Sequence, residues 1–345
     1  MKKMLLSVLI PALFASYAPA LDIGDPAPEI SVDRWVSGEP ADPAKIDGKT
    51  IYLVEVWSTT CPPCARSIPI LASLQARYAD AGLKIVSFTS DSPEEVEEYL
   101  ADHAIGYSSF IDKDGGSMVK YMAADNRDTI PHAFLFDRSG ALVWIGNPLD
   151  NLESRIRKVI DGSLNRENAL ALRDALEEAK DGLNLAIEGQ DVSAILASLR
   201  RLEELEPDNP QYYQWHHRLL IQVGIGDAQA MAGLFRDWFA GCRDQPEGLA
   251  ALALAAIGMG EPQSRDPRLA LAAAKRAYAI GGGLRLETGL NLADIYKDIG
   301  RLDLALNLLD ELAGETDGAE ALAGVRRFYE SLIELGKNPD AEYRP

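Results

Sequence analysis

The sequence predicts an α/β domain, with a mixed central sheet and helices on both faces, followed by an all-α domain of helical repeats. Three observations predict it. Between residues 50 and 145, short β-branched and aromatic runs alternate with helical patterns, as in a sheet interleaved with helices. Past Ser163 strand signals stop, and Ala- and Leu-rich helical periods broken by Gly, Pro and Asp take over. Between the two, Asp161-Gly162-Ser163 reads as a short linker. The divisions are residues 1–20, 21–162 and 163–345.

Residues 1–20 read as a secretory signal. Lys2 and Lys3 precede an apolar run, and Ala18-Pro19-Ala20 offers a small-x-small cleavage site. The run is shorter than the ~20 residues a spanning helix needs. No later stretch is apolar enough to span, so the mature chain is expected to be soluble, periplasmic or secreted, and not membrane-embedded. The net charge is −19, with an excess of acid in both halves. Nucleic acid and anionic membrane surfaces are therefore poor partners. Three cysteines are too few for a disulfide scaffold.

In the first domain, residues 21–49 are rich in Asp, Pro and Gly and read as an irregular lead-in with a short hairpin near Ile30 to Val36. Thr50 to Trp57 is a buried strand interrupted by Glu55. Pro62 to Tyr78 is a helix with Ile68, Leu71, Leu74 and Tyr78 on one face. Leu83 to Thr89 is a second strand. Ser92-Pro93-Glu94-Glu95 is a capping box that opens a helix running to about His103. A strand near Ser109 to Ile111, a turn at Asp112 to Gly115 and a short helix near Ser117 to Met122 follow. Ala133 to Phe136 and Ala141 to Ile145 flank the turn Asp137-Arg138-Ser139-Gly140, a hairpin pattern. Leu149 to Ile160 closes the domain as a helix.

Cys61-Pro62-Pro63-Cys64, at the end of a strand and the start of a helix, carries either redox chemistry or a metal. A zinc site needs two more ligands. Cys242 lies in the other domain, and His103, His132, His216 and His217 lack ligand spacing, so no metal is expected, and no cofactor. Asp112-Lys113-Asp114-Gly115 begins like a calcium loop, but its twelfth position is Ala123.

The run V-E-V-W-S-T-T-C-P-P-C-A-R-S-I-P resembles the active-site segment of thioredoxin-fold proteins, and within them the TlpA-like periplasmic reductases. Pro69, five residues after Cys64, fits that family, as do the helix and strand inserted between Asp91 and Tyr121. So does Asp128-Thr129-Ile130-Pro131 directly before the hairpin. The resemblance spans about residues 24–162 and departs from the family at Thr60 and His132. It implies a thioredoxin-like domain acting through a Cys61/Cys64 dithiol. Cys61 is then the nucleophile, its thiolate favoured by the helix N-terminus, and Cys64 resolves the mixed disulfide. Pro62 and Pro63 carry no N–H, so one donor to that thiolate is missing, which leans the couple toward reduction of others. Glu55, in an otherwise apolar strand, is either a solvated edge residue or a buried proton acceptor for Cys64; the resemblance favours the second. A cis Ile130–Pro131 bond opposite Cys61 is implied by the motif. Thr129 and Ile130 then form a ledge where a substrate segment pairs strand-fashion. Trp57 either packs beneath the loop, toward the substrate side, or simply fills the core.

In the second half, Thr288 to Ala313 resembles a tetratricopeptide repeat, with Leu292, Ala293, Tyr296, Gly300, Ala305 and Leu309 in register. Weaker copies run from Gly189 to Pro207, Tyr213 to Trp238 (turning at Gly226) and Leu249 to Tyr278. The corresponding positions are Ala194, Met231, Ala270 and Ala305, and Ala319 to Leu335 forms a terminal cap. Such an array implies a protein or peptide partner. The whole reads as an extracytoplasmic disulfide reductase for disulfide-bearing client proteins, recharged, by the resemblance, by a membrane thiol donor. One alternative is an interaction scaffold with an incidental redox domain. Another is a peroxiredoxin-like peroxidase, for which Ser58 stands three residues before Cys61 but no loop proline precedes it.

Overall fold

A computed structural model describes residues 21–123, 129–224, 228–258, 265–315 and 319–337. Residues 1–20, Asp128 and the turn residue Gly226 lie outside the described residues. The first part is a six-stranded mixed sheet in the order β1-β4-β3-β2-β5-β6. Its strands are β1 (Val32–Ser37), β2 (Ile51–Val56), β3 (Leu83–Thr89), β4 (Ser108–Asp112), β5 (His132–Phe136) and β6 (Leu142–Gly146). β2, β3 and β4 run parallel, whereas β1, β5 and β6 are antiparallel to their neighbours. The helices are α1 (Pro62–Tyr78), α2 (Pro93–Asp102), α3 (Gly116–Met122) and α4 (Leu152–Ile160).

Strand alternation divides the core between the two faces of the sheet. Leu53, Ile85 and Leu135 pack with Ile68 and Leu71 of α1 and Ile156 and Val159 of α4. Val54, Val86, Phe88, Phe110 and Phe134 point the other way, against Tyr121 of α3 and the lead-in residues Leu21 and Ala27. The Ser92 capping box forms as the sequence predicts, with Ser92 Oγ accepting from the Glu95 N–H and Glu95 Oε2 accepting from the Ser92 N–H.

Two expectations are corrected. No hairpin forms near Ile30 to Val36. Residues 32–37 form the single strand β1, which pairs antiparallel with β4, 72 to 80 residues on. No second apolar run lies within turn distance of Val36, and β1 pairs instead with the edge of β4. The last helix starts at Leu152 rather than Leu149, because residues 147–150 close a turn and Asn151 is left-handed, with φ 55°.

Beyond residue 162 the described residues hold nine helices: α5 (Arg166–Glu188), α6 (Val192–Leu205), α7 (Pro210–Gln222), α8 (Ala228–Gly241), α9 (Pro246–Gly258), α10 (Pro267–Ile280), α11 (Arg285–Asp298), α12 (Leu302–Glu315) and α13 (Ala319–Lys337). Successive helices pack on each other, and α9 also meets α7 and α11. Gly300, φ 78°, makes the tight turn between α11 and α12 that glycine permits. Met231, Ala270 and Ala305 are buried on α8, α10 and α12, whereas Ala194 on α6 is only half-buried. The first pair accordingly has a core of its own around Leu183, Leu199, Leu202 and Tyr212, separate from the larger core around Trp238, Leu252, Ala274 and Leu309.

The two parts meet through α4 and α5. α5 lies along β6. From α4, Ser154 Oγ and Lys158 Nζ donate to Asp208, at 2.6 and 2.5 Å. Arg66 of α1 approaches Glu287 of α11 at 4.0 Å, so the helical array flanks the helix that begins at the paired cysteines.

Candidate active site

β2 sits in the middle of the sheet, so the loop that follows it emerges at the centre of one end. Asp91 fixes that loop: both its carboxylate oxygens accept from Ser58 Oγ at 3.0 Å, and one accepts from the Thr59 N–H at 2.6 Å. The loop delivers Cys61 to the N-cap of α1, where its Sγ accepts from the Cys64 N–H at 3.2 Å. No acidic residue lies in the first turn of α1, so nothing there opposes a negative sulfur at the positive end of the helix. Cys61 and Cys64 are joined as a disulfide, the oxidised form of the pair. Cys61 is partly exposed and Cys64 is fully buried. Pro62 is exposed and Pro63 half-buried beside them.

The Ile130–Pro131 bond is cis. The Ile130 carbonyl oxygen lies 3.7 Å from Cys61 Sγ, which puts this segment against the exposed sulfur. Thr129 is exposed, Ile130 half-buried and Pro131 buried. The sequence-predicted residues Cys61, Pro62, Pro63, Thr129 and Ile130 therefore share one surface. Trp57 does not share it: it is 1% exposed and packs on Tyr99 at 5.4 Å, in the core beneath the loop.

Glu55 is fully buried. Its two oxygens accept from two hydroxyls, Ser67 Oγ at 2.6 Å and Tyr107 Oη at 3.0 Å. Burial pushes its carboxyl up to about 7, and the two hydroxyls pull the other way. Ser67 lies three residues after Cys64 on α1 and also reaches the Cys64 carbonyl at 3.0 Å, which links the carboxylate to the backbone of the buried cysteine. Sequence reasoning missed Ser67, Tyr107 and Asp91. The i,i+3 spacing from Cys64 is a signal for Ser67. Nothing local points to Tyr107 or Asp91, which arrive from distant elements.

Cys242 is buried in the helical array, away from the pair, and burial pushes its thiol up to about 12. Among the described residues no helix is long and apolar enough to cross a membrane.

Residues 22–160 match the protein family described as Redoxin. Thioredoxin-like protein YneN of Bacillus subtilis is 30% identical over 123 residues, covering 34% of this chain and 68% of that protein. Thiol-disulfide oxidoreductase ResA of Bacillus thuringiensis subsp. konkukian is 26% identical over 124 residues, 36% of this chain and 68% of that protein. Protein FixW of Rhizobium leguminosarum is 26% identical over 212 residues, 56% of this chain and 95% of that protein.

Proposed function

Because the chain belongs, through its N-terminal part, to the thioredoxin-like proteins, we propose that it is an extracytoplasmic thiol–disulfide oxidoreductase that works as a reductase. One observation carries the reading. A partly exposed residue, Cys61, caps α1 with its sulfur, its partner Cys64 is buried one turn on, and the buried carboxyl of Glu55 is tied through Ser67 to the turn of α1 that carries Cys64. Similarity to the oxidoreductase ResA supports the reaction class.

In the proposed cycle the reduced Cys61 thiolate attacks one sulfur of a client disulfide. A mixed disulfide forms and the other client sulfur leaves as thiolate. Cys64 then gives its proton to Glu55, and the Cys64 thiolate attacks Cys61 Sγ and expels the second client thiolate. Two electrons have passed to the client, and the Cys61–Cys64 disulfide remains. Thr129, Ile130 and Pro131 form the ledge on which the client segment rests, and Pro62 and Pro63 withhold a donor from the thiolate. Residues 1–20 act as the export signal, 21–162 as the redox domain and 163–345 as tetratricopeptide-like repeats that hold the client or a partner. A membrane thiol donor restores the dithiol, since the compartment is oxidising.

Equilibration against glutathione buffers tests the direction. A reductase is expected near the thioredoxin value of about −270 mV, and a value near −120 mV, the strong-oxidant end, sinks it. The reaction itself is tested by Cys64→Ser, which is expected to accumulate the mixed disulfide on Cys61; a wild type that reduces no insulin disulfide refutes it.

A further inference from the structure

The fully buried carboxyl of Glu55 has two partners of its own, and neither is a cation. Ser67 Oγ donates to one oxygen and Tyr107 Oη to the other, with all three residues at most 4% exposed. The donors come from different elements. Ser67 rides on α1 with Cys64, while Tyr107 immediately precedes β4 and lies beside Ser87 of β3. Ser87 in turn bonds Ser109 of β4 at 2.9 Å. Tyr99 of α2 is the remaining titratable group that feels Glu55. On the β5 side the neighbour is Ala133, which has no polar side chain. Among the described residues no cation pairs with Glu55, and a carboxylate so placed is held ionised in an apolar core by hydrogen bonds.

We propose that Ser67 and Tyr107 are positioning residues for Glu55: their two hydroxyls hold its carboxylate in one orientation, and through it they set the pH at which Cys64 gives up its proton. The proposal rests on the redox reading above. No charge is moved except the proton already assigned, from Cys64 to Glu55. The hydroxyls bond the charged form more strongly than the neutral acid, so each favours the base. Ser67 adds a coupling, because the α1 turn that carries Cys64 also carries the donor.

Two readouts test it. In the oxidised protein, the Glu55 carboxyl is titrated by difference infrared spectroscopy. Ser67→Ala and Tyr107→Phe are each expected to raise its midpoint by about one pH unit, and Ser67→Thr, which keeps the hydroxyl, is expected to restore it. In the reduced protein, Cys61 is loaded with glutathione and the release of glutathione by Cys64 is timed from pH 5 to 9. Ser67→Ala is expected to be about fivefold slow at pH 7 and to rejoin the wild type near pH 9. An unmoved midpoint in both hydroxyl variants, or a loss of rate uniform across pH, overturns the proposal. If the wild type releases no glutathione, the redox reading is what fails. The infrared midpoint then decides on its own whether the hydroxyls hold Glu55.

Discussion

Arg155 of α4 meets Glu206, in the loop before α7, at 2.6 Å, with side chains only 6% and 12% exposed. The pair sits where the sheet domain joins the helical array. Asp208 stands beside it and takes Ser154 Oγ, Lys158 Nζ and, through its carbonyl, Asn151 Nδ2. Buried charges are expensive to desolvate and are retained only where geometry and extra hydrogen bonds compensate. A cluster of this kind fits one arrangement and penalises others. It fixes the array beside α1 instead of leaving it on a loose tether.

Removing one partner is therefore expected to cost far more than an exposed ion pair would. Arg155→Met takes the cation from Glu206, which keeps Tyr212 Oη at 3.0 Å, and from Asp208 at 3.7 Å, and is expected to lower stability by about 3 kcal/mol. Arg155→Met with Glu206→Met should recover much of that. Burial alone would raise the Asp208 carboxyl, but Arg155 and Lys158 hold it down at about 2, against an ordinary 3.8. A depressed carboxyl contributes stability above its unfolded value and loses it as pH falls toward the folded one. The gap between wild type and Arg155→Met in denaturant unfolding should thus shrink as pH drops from 5 to 2. A gap that is constant with pH sinks the junction account.

Glu55 works in the opposite sense. Its folded carboxyl is raised to about 7 from 4.5, chiefly by burial. The protein is thus most stable, as far as this group is concerned, below pH 4.5, and loses that contribution as pH rises through 7. The span amounts to on the order of 3 kcal/mol. Glu55→Gln keeps the shape and never ionises. In the oxidised protein its melting temperature, measured against wild type, should rise between pH 4.5 and 8, while disulfide reduction becomes slower. If the stability difference is flat over that range, Glu55 is neither buried nor raised.

Glycine substitutions at two helix positions should have opposite signs. Gly241 closes α8, and a Cβ there would lie 1.8 Å from the Pro207 carbonyl oxygen. Backbone cannot yield that distance without moving the Asp208 loop. Gly241→Ala is expected to cost about 3 kcal/mol. Gly324, exposed on α13, would put its Cβ into open space, so Gly324→Ala should stabilise by about 0.5–1 kcal/mol through helix propensity. Denaturant midpoints of the two variants check both, and a neutral Gly241→Ala contradicts the close approach.

Periodic and capped elements were legible in the sequence because their causes are local. The α1 range Pro62–Tyr78 and the Ser92 capping box needed only neighbours within a turn or two. Cys61 and Cys64 were legible for the same reason. β1 was not, since its pairing partner is β4, and a strand edge far away in the chain leaves no mark on the strand's own residues. The setting of Glu55 was half legible. A carboxylate interrupting an apolar strand announces burial, but the tyrosine that bonds it comes from 52 residues on. The junction around Arg155, Glu206 and Asp208 was invisible, because a mixed-charge stretch of helix reads as solvated surface until its partner is in place.

Cys242 offers a test of whether the helical array takes part in electron transfer. It is fully buried, and burial pushes its thiol up to about 12. At pH 8 its thiolate fraction is then about one in ten thousand, too small for ready exchange. Cys64 is also buried once reduced in this geometry, which leaves Cys61 as the accessible sulfur. Brief treatment of the reduced native protein with iodoacetamide at pH 8 should add a single adduct, on Cys61, and unfolding in guanidinium should release the other two sites. Cys242→Ser should leave disulfide reduction unchanged. A native adduct on Cys242, or a loss of thiol–disulfide exchange activity in Cys242→Ser, would mean the array opens during turnover and its thiol joins the exchange.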